Sequence, residues 1–140
     1  MALSADGKCF ACGEDNPIGL KLQFQFDGDD YVTTLQFEPE HSGWAGIVHG
    51  GLLATVLDEV MVRLLWVKGY EAVTARLTVF YRQPVSVGAR LRVRGRIVRV
   101  RAGGRMIETT AEAIREDGTV VAEGSAMSLK PTAGSAERAS

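Results

Sequence analysis

Cysteine, histidine and proline are scarce in this chain of 140 residues, with two, two and four copies. Two thiols cannot build the disulfide framework of a small secreted domain, so Cys9 and Cys12, in Cys-Phe-Ala-Cys, fit a reducing compartment. A long uninterrupted apolar run is also missing. The longest apolar segment is broken by Asp58, Glu59 and Arg63, and Met1 to Lys8 has no apolar core of signal-peptide length. The expectation is a cytoplasmic protein with no membrane partner. Nor is there an excess of charge: the formal net charge of -1 argues against nucleic-acid binding by the chain as a whole and confines any basic function to a local patch.

What is there is ordinary for a globular domain, with 46% hydrophobic and 24% charged residues. The length predicts one domain over 1–140, able to bury a core without disulfide or metal. Residues 1–18, with Gly7, Gly13, Asn16 and Pro17, read as an N-terminal loop, and 131–140, rich in Ala, Ser and Gly, as a frayed tail. Between them, Leu20 to Phe26 and Tyr31 to Phe37 alternate apolar with polar around Asp27-Gly28-Asp29-Asp30, which predicts a hairpin. A long helix starts at Gly50 and stops near Gly69; Leu53, Val56, Leu57, Val60, Leu64 and Val67 form one broad face, widened by Met61, Leu65 and Trp66. Strands are predicted at Ala72 to Tyr81, Ala89 to Arg101, Arg105 to Arg115 and Val120 to Leu129, the last three as a meander. Within Ala89 to Arg101 the apolar residues slip phase at Ile97-Val98, which predicts a bulge. A helix so apolar is most economically wrapped by a curved antiparallel sheet, an α+β fold.

The chemistry gathers at the helix. Gly50 and Gly51 at its start leave backbone N–H groups open to a ligand, where the helix dipole favours a developing oxyanion. His49 beside them is either an acid, base or orienting group, or a packed capping residue. Asp58 lies too far along the helix to cap it, and its helical neighbours Ala54, Met61, Val62 and Leu65 are apolar. Such a carboxylate is desolvated, its pKa should rise, and it is a candidate general base or nucleophile; the competing reading is an interface residue bound to a backbone N–H. Glu59 has Arg63 four residues on and is explained by a helical ion pair.

Cys9 and Cys12 read as two semi-buried thiols fixing the N-terminal loop. The alternatives are a redox pair or half of a zinc site, with His41 and His49 as the only other soft donors. Arg90, Arg92, Arg94 and Arg96 share one strand face, followed by Arg99 and Arg101; the row is either a solvated outer face or a phosphate site. No aromatics interleave with it, which argues against a single-strand nucleic-acid platform.

His49-Gly50-Gly51 with Asp58 on the central helix of a strand-strand-helix-four-strand domain resembles the hot-dog-fold acyl-CoA thioesterases, most closely the phenylacetate-pathway type. Cys9-Phe-Ala-Cys12-Gly13 and Asn16-Pro17-Ile18-Gly19-Leu20 look like a subgroup of that superfamily, extending the resemblance over residues 9 to about 130. The resemblance implies a homodimer, or a dimer of dimers, with each active site between subunits. It implies Gly50 as oxyanion donor, Asp58 from across the interface as base or nucleophile, His49 beside them, and Thr74 orienting the water. No metal or cofactor is implied. Where some relatives carry a water-binding Asn or Gln, this chain has Gly43, with His41 or Ser42 as substitutes. Hot-dog dehydratases match less well, since their His and acidic residue are arranged differently.

The expected function is therefore hydrolysis of an acyl-CoA thioester to a carboxylate and free CoA. Gly51, Arg82 and Arg90 are the expected substrate-binding residues, the arginines at the nucleotide end of CoA. A non-catalytic acyl-CoA binding or sensing protein on the same fold is the alternative, favoured by Gly43 and opposed by Asp58. A ligand-free structural oligomer ranks last.

Overall fold

The computed structural model describes residues 3–132 and lays one helix against a six-stranded antiparallel sheet. Strands β1 (Gln25–Asp27) and β2 (Asp30–Gln36) precede helix α1 (Gly50–Val67), and β3 (Val73–Tyr81), β4 (Arg90–Arg101), β5 (Met106–Arg115) and β6 (Val120–Leu129) follow it. Their lateral order is β1-β2-β4-β5-β6-β3. This is the α+β hot-dog arrangement, a curved sheet around a single long helix. Among the described residues no helix is long and apolar enough to cross a membrane. The tail expected to fray falls, from residue 133 on, outside the described residues.

Helix α1 buries Leu53, Val56, Leu57, Val60, Met61, Leu64 and Leu65, the stripe that its periodicity predicts. Trp66 and Val67 depart from it at 44% and 45% exposure, while Leu64 and Leu65 of the same turn stay buried. Gly69, at φ +89°, ends it in a Schellman arrangement: the Gly69 N–H donates to the Trp66 carbonyl and the Tyr70 N–H to the Leu65 carbonyl. Two sheet glycines let the helix sit close. A Cβ on Gly95 of β4 would lie 3.3 Å from Val60 Cγ1 and from the Val60 carbonyl oxygen, and one on Gly124 of β6 3.3 Å from Met61 Cε.

The β4–β5 register shifts between Ile97 and Arg99, so Val98 is the extra residue of the bulge that the phase slip predicts. The first hairpin differs from its prediction. Only Gln25–Asp27 pairs with β2; upstream, the Leu20 and Leu22 N–H groups donate to the Phe10 and Ala11 carbonyls. The alternating segment is extended, but the N-terminal loop takes its hydrogen bonds.

The arginine row of β4 is neutralised along most of its length. Arg92 pairs with Asp27, Arg96 with Asp30, and Arg94 with Glu112 at 2.9 Å, while Arg99 and Arg101 reach Glu108 at 3.7 and 4.0 Å. The Arg96 hydrogen bond holds the buried Asp30 carboxyl below its usual range. The row is an ion-paired outer face.

Candidate active site

His49 caps α1 from an extended backbone conformation, and its Nδ1 accepts the Gly51 N–H at 3.0 Å. Two consequences follow for the expected roles. Gly51 gives its N–H to His49 and has none to offer a substrate. His49 uses a ring lone pair as a cap, so its proton sits on Nε2 and it is a capping residue before it is anything else. The Leu52 and Leu53 N–H groups both turn to the His49 carbonyl. That leaves the Gly50 N–H, which meets no acceptor among the described residues, as the open donor at the helix start.

Tyr81, at the end of β3, completes this corner. Its hydroxyl donates to the Gly50 carbonyl at 2.6 Å, and burial pushes the phenol up, so it stays a neutral donor. The ring stands where a Cβ on Gly50 would touch it, at 3.4 Å. Beside Gly50 opens a groove of about 450 Å³ lined by Trp44, Leu53, Tyr81, Arg82 and Pro84. Trp44 is 83% exposed there, a large apolar ring with little cover from the described residues. Neither Tyr81 nor Trp44 stands out in the sequence, where one reads as the last residue of a strand and the other as part of a glycine-rich loop; Trp44 beside Gly43 is a faint signal, and Tyr81 carries none.

Arg82 lies on the groove, paired with Glu123 at 3.0 Å and over the Phe80 ring. Arg90 begins β4 opposite Gln36 and is not part of the groove lining. The structure thus brings one of the two expected arginines to Gly50. Gly43 is close: a Cβ there would sit 3.2 Å from His49 Cα, so the position faces the helix start and leaves it uncovered. His41 turns away from any such role, its Nδ1 accepting the Glu38 N–H at 2.9 Å.

Further along α1, Asp58 is half-buried and accepts a 2.6 Å hydrogen bond from the Thr74 hydroxyl of β3. The helix offers it no partner; the edge strand does. That bond fixes one carboxylate oxygen and leaves the other free to accept a proton. Asp58 and Gly50 are separated by eight residues, about 12 Å along the axis. One carbonyl group cannot touch both within a single chain.

Glu59 does not form the expected ion pair with Arg63. The N-terminal loop packs over this side of the helix, and Glu59 faces Cys9 and Cys12 while Arg63 Nη1 donates to Cys12 Sγ at 3.6 Å. Burial and the Glu59 carboxylate push the Cys12 thiol up to about 12. Such a thiol is inert as a nucleophile at neutral pH.

Comparison with known proteins gives the family and supports the fold. A sequence profile described as the thioesterase superfamily matches residues 45–122, more than half of the chain. No curated protein matches in sequence. Among solved structures, a thioesterase superfamily protein superposes with a TM-score of 0.81 at 24% identity, over 89% of this chain; the chain spans 61% of that longer protein. A hypothetical thioesterase from Streptococcus pneumoniae TIGR4, solved with coenzyme A, gives a TM-score of 0.70 at 18% identity over 77% of this chain and 84% of that one. Variants of that protein with one aspartate or one threonine replaced by alanine have also been solved. A mutant of the phenylacetic acid degradation protein PaaI from Thermus thermophilus gives 0.70 at 22% identity, over 79% of this chain and 93% of that one. Since the matched profile spans the whole of α1, with its glycine start and its carboxylate, and most of the sheet around it, the chain belongs to the thioesterase superfamily.

Proposed function

We propose that the protein is an acyl-CoA thioesterase that works as a homodimer, with each site built from the Gly50 end of one helix and Asp58 of the partner subunit. The observation that carries this reading is the Thr74–Asp58 bond of 2.6 Å, beside the apolar helix residues Ala54, Met61, Val62 and Leu65. A carboxylate there has no structural partner along α1, and a positioned base is what thioester hydrolysis requires. The sixteen-residue spacing of Asp58 and Thr74 equals that of the aspartate and threonine replaced in the Streptococcus pneumoniae protein.

In the proposed reaction the thioester carbonyl oxygen accepts the Gly50 N–H. Asp58 takes a proton from water as the oxygen bonds to the carbonyl carbon, and negative charge moves onto the carbonyl oxygen, where one such donor supplies roughly 10²- to 10³-fold. The tetrahedral intermediate then collapses, the C–S bond breaks, and the departing sulfur takes the proton back from Asp58. The products are a carboxylic acid, ionised at neutral pH, and CoA. Direct attack by Asp58 to form an anhydride, later hydrolysed, uses the same groups. Trp44, Leu53 and Tyr81 give the groove an apolar wall, and Arg82 is the cation placed to meet a CoA phosphate.

Gly43 favours a second reading, a protein that binds acyl-CoA without cleaving it, because no side chain at that position holds a water beside His49. Thiol release from short, long and aromatic acyl-CoAs separates the two. The thioesterase reading predicts turnover that falls at least about 10²-fold in Asp58→Asn with binding retained. Acyl-CoA binding without thiol release in the native protein would instead assign the second reading.

A further inference from the structure

Apart from the Gly50 groove, the N-terminal loop closes a cavity of about 620 Å³ against α1, with Cys9, Cys12, Glu59, Arg63 and Trp66 in its wall. Cys9 Sγ, Cys12 Sγ and a Glu59 carboxylate oxygen all lie within 4.8 Å of one another, and Cys9 Sγ is 3.8 Å from Glu59 Oε1. A tetrahedral zinc ion bound to thiolates at about 2.3 Å and a carboxylate at about 2.0–2.2 Å spaces its donor atoms roughly 3.5–3.8 Å apart. The Cys9–Glu59 pair is at that spacing and the other two pairs lie within 4.8 Å, a gap that side-chain rotation closes without movement of the backbone.

The backbone itself is built to present the two sulfurs. The Gly13 N–H donates to the Cys9 carbonyl at 2.8 Å, closing the turn, and a Cβ on Gly13 would fall 2.4 Å from the Gly7 carbonyl oxygen and 2.5 Å from Cys9 N. Only glycine fits there. Charge is matched as well: two thiolates and one carboxylate carry three negative charges, a divalent ion leaves one, and the Arg63 guanidinium, 3.6 Å from Cys12 Sγ, balances it. Arg63 Nε is buried with no hydrogen-bond partner among the described residues, a polar group left waiting at the same spot.

We propose that Cys9, Cys12 and Glu59 bind a thiophilic divalent cation, zinc by ligand chemistry, with Arg63 as outer-sphere partner and solvent from the cavity in the fourth position. Two sulfur donors exclude magnesium and calcium, which take oxygen ligands. Neither histidine takes part, since Nδ1 of each accepts a backbone N–H. The ion would tie the N-terminal loop to the helix that carries Asp58, and it stands or falls apart from thioester hydrolysis.

The test is Co²⁺ titration of the reduced, metal-free full chain, read by absorption. The expected result is thiolate-to-cobalt charge transfer with tetrahedral visible bands, saturating at one equivalent per chain and erased by zinc. Cys9→Ser, at an exposed position, removes the charge-transfer pattern of a two-thiolate site, and Glu59→Gln weakens binding at least about tenfold with unchanged circular dichroism. Cobalt uptake without charge transfer, or uptake unchanged in both variants, overturns the proposal. So does a reduced protein that takes up no cobalt and closes a Cys9–Cys12 disulfide on oxidation, which assigns a redox pair instead.

Discussion

Asp58 and Glu59 are adjacent carboxylates with opposite fates. About 100° of helical rotation sends Asp58 to the Thr74 hydroxyl of β3 and Glu59 to the thiols of the N-terminal loop. The first difference is legible in the sequence, because Ala54, Met61, Val62 and Leu65 beside Asp58 on the helix are apolar and a carboxylate so placed calls for a partner elsewhere. The second is not: Glu59 lies fifty residues from Cys9, and the Arg63 four positions on offers a local explanation that the packed loop overrides. Thr74 acts through Asp58, holding one of its carboxylate oxygens. Thr74→Ala should lower kcat by about 10- to 30-fold, the loss of one hydrogen bond to a charged group, with KM nearly unchanged, and Thr74→Ser should restore most of it. Steady-state kinetics on a cleaved acyl-CoA decide; a raised KM at constant kcat would make Thr74 a binding residue.

Helix α1 and the meander are well written in the local pattern, since apolar spacing of 3.6 and 2 is enough to specify them. The bulge at Val98 is legible for the same reason: one residue out of phase exchanges the faces of everything after it. Pairing is a different matter. Leu20 to Phe24 alternate like a strand, yet which backbone takes their hydrogen bonds depends on the N-terminal loop, and no periodicity reports that. Nor does a row of arginines announce its carboxylates, because Asp27, Asp30, Glu108 and Glu112 come from other strands. Gly95 sets the helix-to-sheet distance, with the rigid Val60 carbonyl as its neighbour. Gly95→Ala should destabilise the fold by about 1–3 kcal/mol, seen as a lower urea midpoint with an unchanged slope. An unaltered midpoint would mean that the helix shifts at little cost.

The two halves of the proposed site, about 12 Å apart on one helix, make the assembly testable by complementation. Gly50→Pro removes the open N–H at the first helical position, where proline is tolerated, and Asp58→Asn removes the base. Each variant alone should be nearly inactive. Refolded together, they form mixed dimers in which one site carries both defects and the other neither, so roughly a quarter of native activity should return. Mixtures that stay inactive while forming dimers would overturn the site between subunits.

The sheet ends very differently on its two sides. At one margin β3 runs nine residues, with Val73, Leu77, Phe80 and Tyr81 exposed; at the other β1 offers only three. A margin of three residues has too few backbone groups to recruit another chain. Strand addition is therefore favoured at β3 and discouraged at β1. A short margin works against filament growth, and the N-terminal loop keeps β1 short by taking the Leu20 and Leu22 hydrogen bonds for itself.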